Sequence, residues 1–139
     1  MLLLDNSAWS RIVDGVLDRE RAETIAEWID QRHLATSLPF LLEAGYSARS
    51  APDHQGLMAE MDLFPRIPVT RDTEERALQA QRELASVGHH RLAPIDVLIA
   101  ACAHEANSGV LHYDRDYDIL ATRTALEFES EWLAPAGTL

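Results

Sequence analysis

Leu2-Leu3-Leu4-Asp5-Asn6-Ser7 opens the chain with an unbroken apolar run that stops at a carboxylate. Three leucines in a row do not alternate between a wet and a dry face. The spacing therefore predicts a strand over Met1–Asp5 that is buried on both sides, as in a parallel sheet covered by helices. Ser7–Val13 follows as a short helix, with Asn6 or Ser7 as its cap. The same alternation continues down the chain. Arg19–Arg32 places Ala22, Ile25, Ala26 and Ile29 on one helical face, and His33–Thr36 reads as a short strand. Ser37–Ser50 is a helix capped by Ser37, with Pro39 in its first turn. Pro52 opens another that runs to about Phe64. A short strand near Ile67–Thr70 is marked out by Pro65 and Pro68. Thr73–Val87 is helical, with Asp72 as cap, Glu75 three residues on, and Gly88 as the stop. Pro94 starts the most apolar helix, Ile95–Ala106, which should lie deep against the sheet. Val110–Tyr113 is a strand, Asp116–Ala121 a short helix and Ala125–Phe128 a last strand. Alternating strands and helices specify an α/β fold with a mainly parallel central sheet. No linker or repeat divides it, so residues 1–139 read as one domain.

The chain has 139 residues, with 12 basic against 23 acidic side chains and a net charge of −11. All the basic residues are arginine; there is no lysine. That excludes a P-loop lysine, a Schiff-base lysine and a lysine paired with a phosphoaspartate. The single cysteine, Cys102, fits a reducing compartment. The first apolar run is too short for a secretory leader or a membrane span, so the expectation is a cytoplasmic protein. The negative charge opposes broad nucleic-acid binding but leaves room for a local basic track.

Several acids sit where an apolar segment turns toward solvent. Asp5 ends the first strand, and Asp114 ends Val110–Tyr113, with Asp116 and Asp118 behind it. Asp96 lies in the first turn of the apolar helix, and Glu43 interrupts Leu41-Leu42-Glu43-Ala44-Gly45. In parallel sheets, ligands bind outside the carboxyl ends of the strands. Taken singly, helix capping accounts for Asp96 or Asp5, and a solvated turn for some of Asp114, Asp116 and Asp118. Taken together they are oxygen-only donors with few cations nearby, a set that suits Mg²⁺ or Mn²⁺. Carboxylate-held divalent ions serve phosphodiester hydrolysis.

At these positions the chain resembles the PIN-domain ribonucleases, specifically VapC-type toxins of bacterial toxin–antitoxin pairs. The resemblance rests on Leu2-Leu3-Leu4-Asp5-Asn6-Ser7, Glu43, Pro94-Ile95-Asp96-Val97-Leu98-Ile99-Ala100-Ala101 and Val110-Leu111-His112-Tyr113-Asp114-Arg115-Asp116-Tyr117, in order along nearly the whole chain. It implies a three-layer α/β/α sandwich and a Mg²⁺- or Mn²⁺-dependent endoribonuclease acting on tRNA or rRNA. It implies a catalytic quartet of Asp5, Glu43, Asp96 and Asp114, with Asp5, Asp96, Asp114 and Asp116 at the metal. It further implies Ser7 near the metal, products with a 5′-phosphate and a 3′-hydroxyl, a VapB-type antitoxin and a homodimer. His112 departs from the pattern, since many relatives carry Thr or Ser there.

Other residues keep two readings. Ser7, His112, Arg115 and the run His89-His90-Arg91 are candidate substrate contacts, against ordinary structural or loop roles. Cys102 and His104 read as packing residues on the apolar helix, His104 with a local hydrogen bond as the other option. Trp9 and Tyr46 offer base stacking or core and dimer packing. The face containing Leu57, Met58, Met61 and Phe64 offers an antitoxin surface or core. An aspartate-nucleophile phosphatase would need a second Asp at position 7 and a lysine; Ser7 and the missing lysine speak against it. The remaining alternative is a PIN-like binding module that does not cut and holds a basic peptide in its acidic crevice.

Overall fold

Five parallel strands form one sheet in the order β3-β2-β1-β4-β5. The structure, a computed structural model, describes residues 1–89 and 91–139. Along the chain these elements are β1 (Leu2–Leu4), α1 (Asn6–Val13), α2 (Arg19–Asp30), β2 (Leu34–Ser37), α3 (Leu38–Tyr46), α4 (Ala51–Met61) and β3 (Arg66–Ile67). There follow α5 (Arg71–Ser86), α6 (Pro94–Glu105), β4 (Gly109–His112), α7 (Asp116–Arg123) and β5 (Ser130–Trp132). Strands β1 to β3 step one way across the sheet, and β4 and β5 step the other. Right-handed crossovers then put the helices before β3 on one face and those after it on the other. This is the three-layer α/β/α sandwich expected from the sequence, and its sheet is wholly parallel.

The apolar pattern explains the layers. Leu2, Leu3 and Leu4 are all buried, as a strand sandwiched between helices requires. Val110 and Leu111 of β4 lie beside them, in register with Leu3 and Leu4. Helix α6 buries Val97 and the run Ile99–Ala103, Cys102 included, against the sheet. No helix among the described residues is long and apolar enough to cross a membrane.

Local chemistry moves several boundaries from their expected places. Asp5, not Asn6 or Ser7, caps α1, its carboxylate accepting the Ser7 N–H. Thr70, not Asp72, caps α5, because Thr70 and Thr73 bond each other's backbone reciprocally. Ser37 occupies the cap position of α3 without a side-chain cap bond. β3 is Arg66–Ile67 rather than Ile67–Thr70, since Pro68 has no N–H with which to extend a ladder. The expected strand at Ala125–Phe128 is irregular, and β5 forms at Ser130–Trp132 instead. Leu126 and Phe128 satisfy their apolar character by packing on the core without pairing. The real edge strand is clasped from α2. Arg21 donates to the carbonyls of Leu133 and Trp132 at 2.7 and 3.0 Å and to the Glu131 carboxylate at 2.9 Å.

Two glycines show where backbone space is decisive. A Cβ on Gly109 would stand 2.7 Å from both the Glu129 carbonyl oxygen and Leu2 Cδ2. Gly56, exposed on α4, faces open space. Gly109→Ala should therefore destabilise by about 1–3 kcal/mol through overpacking. Gly56→Ala should stabilise by about 0.5–1 kcal/mol through helix propensity. Urea unfolding of both variants checks the opposite signs.

Candidate metal centre

The strand order reverses between β1 and β4, and the crevice at their carboxyl ends is the switch point of the sheet. β1 delivers Asp5 there, and the turn after β4 delivers Asp114 and Asp116. The first turn of α6 supplies Asp96, and α3 supplies Glu43. Asp96, Asp114 and Asp116 each offer a carboxylate oxygen, and these oxygens lie within 4.8 Å of one another. Asp96 is buried, and the other two are half-buried.

Asp5 is adjacent but differently engaged. It is 3% exposed, and both its oxygens already accept hydrogen bonds. Oδ2 takes the backbone N–H and the hydroxyl of Ser7. Oδ1 takes the Tyr117 hydroxyl at 2.7 Å. That hydroxyl also lies 3.4 Å from Asp96 Oδ1, so one wholly buried oxygen bridges two acids. Ser7 Oγ in turn accepts the Tyr113 N–H at 2.9 Å, tying the turn after β4 to the start of α1.

The acids repel. Burial, then Asp5, Asp114, Glu43 and Asp116, push Asp96 up to about 7. Burial and the Asp5 charge also raise Glu43. Burial and Asp114 raise Asp116, while Arg115 and His89 pull it back. Among the described residues no ion pair joins a basic side chain to any of the five. Hard oxygen donors, clustered and without a direct ion-pair partner among the described residues, fit a divalent cation such as Mg²⁺ or Mn²⁺.

The remaining candidates separate. Ser7 serves Asp5 through its hydroxyl. Arg115 is exposed at the start of α7, and His89 lies near enough to Asp116 to affect it. Arg91 is exposed, and His90 lies outside the described residues. His112 is not placed as a substrate contact: it is completely buried, and its Nε2 meets Ser130 Oγ at 2.7 Å. His104 Nδ1 accepts the Glu127 N–H at 2.9 Å, a local hydrogen bond. Trp9 is buried and meets Phe64 edge to face, whereas Tyr46 is 91% exposed. Met61 is core, with Leu57, Met58 and Phe64 half-buried around it. Sequence reasoning passed over Tyr117 and Ser130. A tyrosine three residues after Asp114, in a short helix that buries it with Leu120, is the available sign, because a buried hydroxyl needs a partner. Ser130 carried no sign, since the strand holding it was expected elsewhere.

The PIN domain family model matches residues 2–122. Ribonuclease VapC18 of Mycobacterium tuberculosis is 40% identical over 144 residues, covering 98% of this chain and 97% of the relative. Ribonuclease VapC51 of the same organism is 41% identical over 98 residues, 70% of each chain. A chain of the DNA-bound VapBC from Salmonella typhimurium matches in fold with a TM-score of 0.73 at 19% identity, covering 96% of this chain and 100% of that one. The all-parallel sheet, the acids gathered at its switch point and these matches agree, and the chain belongs to the PIN-domain family.

Proposed function

We propose that the chain is a VapC-type, metal-dependent endoribonuclease that hydrolyses RNA phosphodiester bonds and is neutralised by a VapB-type antitoxin. The observation that carries this reading is the clustered triad of Asp96, Asp114 and Asp116, in no ion pair among the described residues, with Asp5 and Glu43 beside it. The named VapC relatives and the VapBC structure support the ribonuclease and antitoxin parts. tRNA or rRNA as substrate, a homodimer and a cytoplasmic location belong to the same proposal.

Asp96, Asp114 and Asp116 would hold Mg²⁺ or Mn²⁺. Such an ion supplies positive charge at the scissile phosphate and lowers the pKa of a coordinated water. Asp5, fixed by Tyr117 and Ser7, presents its charge in one orientation and shapes the pocket around the triad. Glu43, half-buried and raised in pKa, is suited to take up a proton at its carboxylate as water attacks. Water adds to phosphorus, the bond to the 3′ oxygen breaks, and that oxygen leaves as a hydroxyl once protonated.

A basic antitoxin residue could enter the carboxylate pocket, and the helix that supplies Glu43 also offers an apolar surface beside it. α3 leaves Leu42 62% and Tyr46 91% exposed, beside a groove of about 420 Å³ that Leu38, Leu41 and Met58 also line. Large apolar side chains grouped in this way mark interaction sites. An apolar antitoxin segment is the occupant we assign to it.

Three outcomes are expected. Asp96→Asn should lower RNA cleavage by about 100-fold or more, since even residues behind metal ligands are worth 10–100-fold. Excess chelator should do the same to the unaltered chain. Cleavage that survives chelation, in a gel assay on defined RNAs, would remove the metal from the mechanism. Antitoxin binding with no cleavage at any metal concentration would favour the non-cutting binding module.

The second outcome concerns pH. Asp96 rises to about 7 in the fold, against about 4 in an unfolded chain. Between those values the folded protein keeps a proton that the unfolded chain has lost, so metal-free stability falls as pH rises from about 4 to about 7. Asp96→Asn removes that penalty and should melt higher than the unaltered chain at pH 7.5, with the advantage gone below about pH 4. Added Mn²⁺ should raise the melting point of the unaltered chain at pH 7.5, by about 2.7 kcal/mol of stability at 100 times Kd, and far less at pH 5. Thermal melts across pH check both signs.

Thirdly, Leu42→Asp should weaken antitoxin binding by about tenfold or more, the loss of an apolar contact plus burial of a charge. RNA cleavage by the free chain should be unchanged. Calorimetry alongside the cleavage assay separates the two.

A further inference from the structure

His112 ends β4 with its side chain wholly buried, two residues before Asp114. Each ring nitrogen has one partner. The Asp114 N–H lies 3.1 Å from Nδ1. A backbone amide only donates, so Nδ1 accepts and the proton of the neutral ring is on Nε2. Nε2 lies 2.7 Å from Ser130 Oγ. Ser130 itself donates to Asp118 Oδ1 at 2.7 Å, and Trp132 Nε1 donates to Asp118 Oδ2 at 2.9 Å. A carboxylate only accepts, so the direction of every bond follows. Asp114 donates to His112, His112 to Ser130, and Ser130 to Asp118. The ring is also held by its faces, stacked on Tyr117 at 4.8 Å and met by the edge of Trp132 at 5.0 Å.

From this geometry we infer that His112 is a positioning residue for the metal centre, acting through Asp114. The inference rests on the metal-dependent reading proposed above. One ring nitrogen holds the turn that presents Asp114, and the other ties that turn to β5 through Ser130 and Asp118. The hold extends one step further, because Asp114 Oδ1 accepts the Asp116 N–H at 2.9 Å. Two of the three clustered acids thus take their orientation from a chain that starts on the neighbouring strand. The imidazole is suited to this because it bonds at both ends while filling the space between Tyr117 and Trp132. Groups behind metal ligands that fix their orientation govern affinity for the ion.

The test separates the two nitrogens. In His112→Asn a carbonyl oxygen stands where Nδ1 was, so the Asp114 N–H keeps an acceptor. In His112→Gln the amide reaches toward Ser130 and leaves that N–H without one. Mn²⁺ affinity by calorimetry should stay within about threefold of the unaltered chain for His112→Asn and fall about 10–100-fold for His112→Gln. In the metal-free protein, hydrogen exchange at the Asp114 amide should be slow in the unaltered chain and in His112→Asn, and fast in His112→Gln. Ser130→Ala cuts only the far link and should weaken Mn²⁺ by a smaller factor, about threefold to tenfold, below the range for a direct partner of the ligand. It carries the test if His112→Gln does not fold. Equal Mn²⁺ affinity in all the folded variants, or slow Asp114 exchange in His112→Gln, overturns the inference and leaves the nuclease reading intact. Failure of the unaltered chain to bind Mn²⁺ overturns that reading and the positioning role with it.

Discussion

Asp96 lies buried beside Asp5, Asp114, Asp116 and Glu43, and the repulsion among these acids falls at one point of the sheet. Local hydrogen bonds and a helix N-terminus ease that repulsion without removing it. The arrangement is imposed by the apolar frame, in which Leu2–Leu4 and Val110–Leu111 pair side by side and α6 packs its apolar faces against them. Once β1 and β4 are neighbours, the residues that follow each strand must share a crevice. Hydrophobic burial therefore holds together charges that would separate in a less rigid chain. Such a site is poised: the free energy stored in the repulsion is recovered when a cation enters.

The hydroxyl of Tyr117 shows how the fold limits that cost without cancelling it. An arginine in its place would neutralise the acids and compete with a metal. A phenol supplies one proton to Asp5 and no charge, and its ring packs with His112 in the interior. Ser7 does the same from the other side. Asp5 is thereby oriented by neutral donors and stays available as a charge. The grouped oxygens beside it come from Asp96, Asp114 and Asp116. Sequence alone places Asp5 among the ligands by its position at a strand end. Only coordinates reveal that both its oxygens accept hydrogen bonds, Oδ1 with one lone pair to spare.

The frame and the acids were legible in the sequence for the same reason. Leu2-Leu3-Leu4-Asp5 and Pro94-Ile95-Asp96 are contiguous, so their pattern carries both the burial and the break toward solvent. β5 was not legible. Its residues Ser130–Trp132 are half-buried and polar at two positions of three, while the more strand-like Leu126 and Phe128 pack without pairing. What makes Ser130–Trp132 a strand is remote in sequence: the β4 ladder on one side and Arg21 of α2 on the other. The same remoteness hid the partner of His112. Its neighbours in sequence suggest a side chain beside a phosphate site, but β4 is buried along its whole length, and there Ser130 accepts from the ring.

The absence of lysine bears on how such an acidic chain would meet RNA. With a net charge of −11, long-range attraction to a polyanion is lacking, and affinity must come from short-range contacts. Arginine is suited to that, because its planar fork binds phosphate oxygens in pairs and stacks on rings. Arg11, in the last turn of α1, already makes the stacked contact. Its guanidinium lies 4.2 Å from the centre of the Tyr113 ring and donates to the Ser7 carbonyl at 2.8 Å. A cation fixed in this way loses little further freedom on meeting a phosphate. Arg11 stands six residues beyond Asp5, more than one and a half helical turns along α1, and these two contacts hold it there. On the function proposed above, an RNA would be retained only where a bound metal and a few placed arginines reverse the sign of this acidic field.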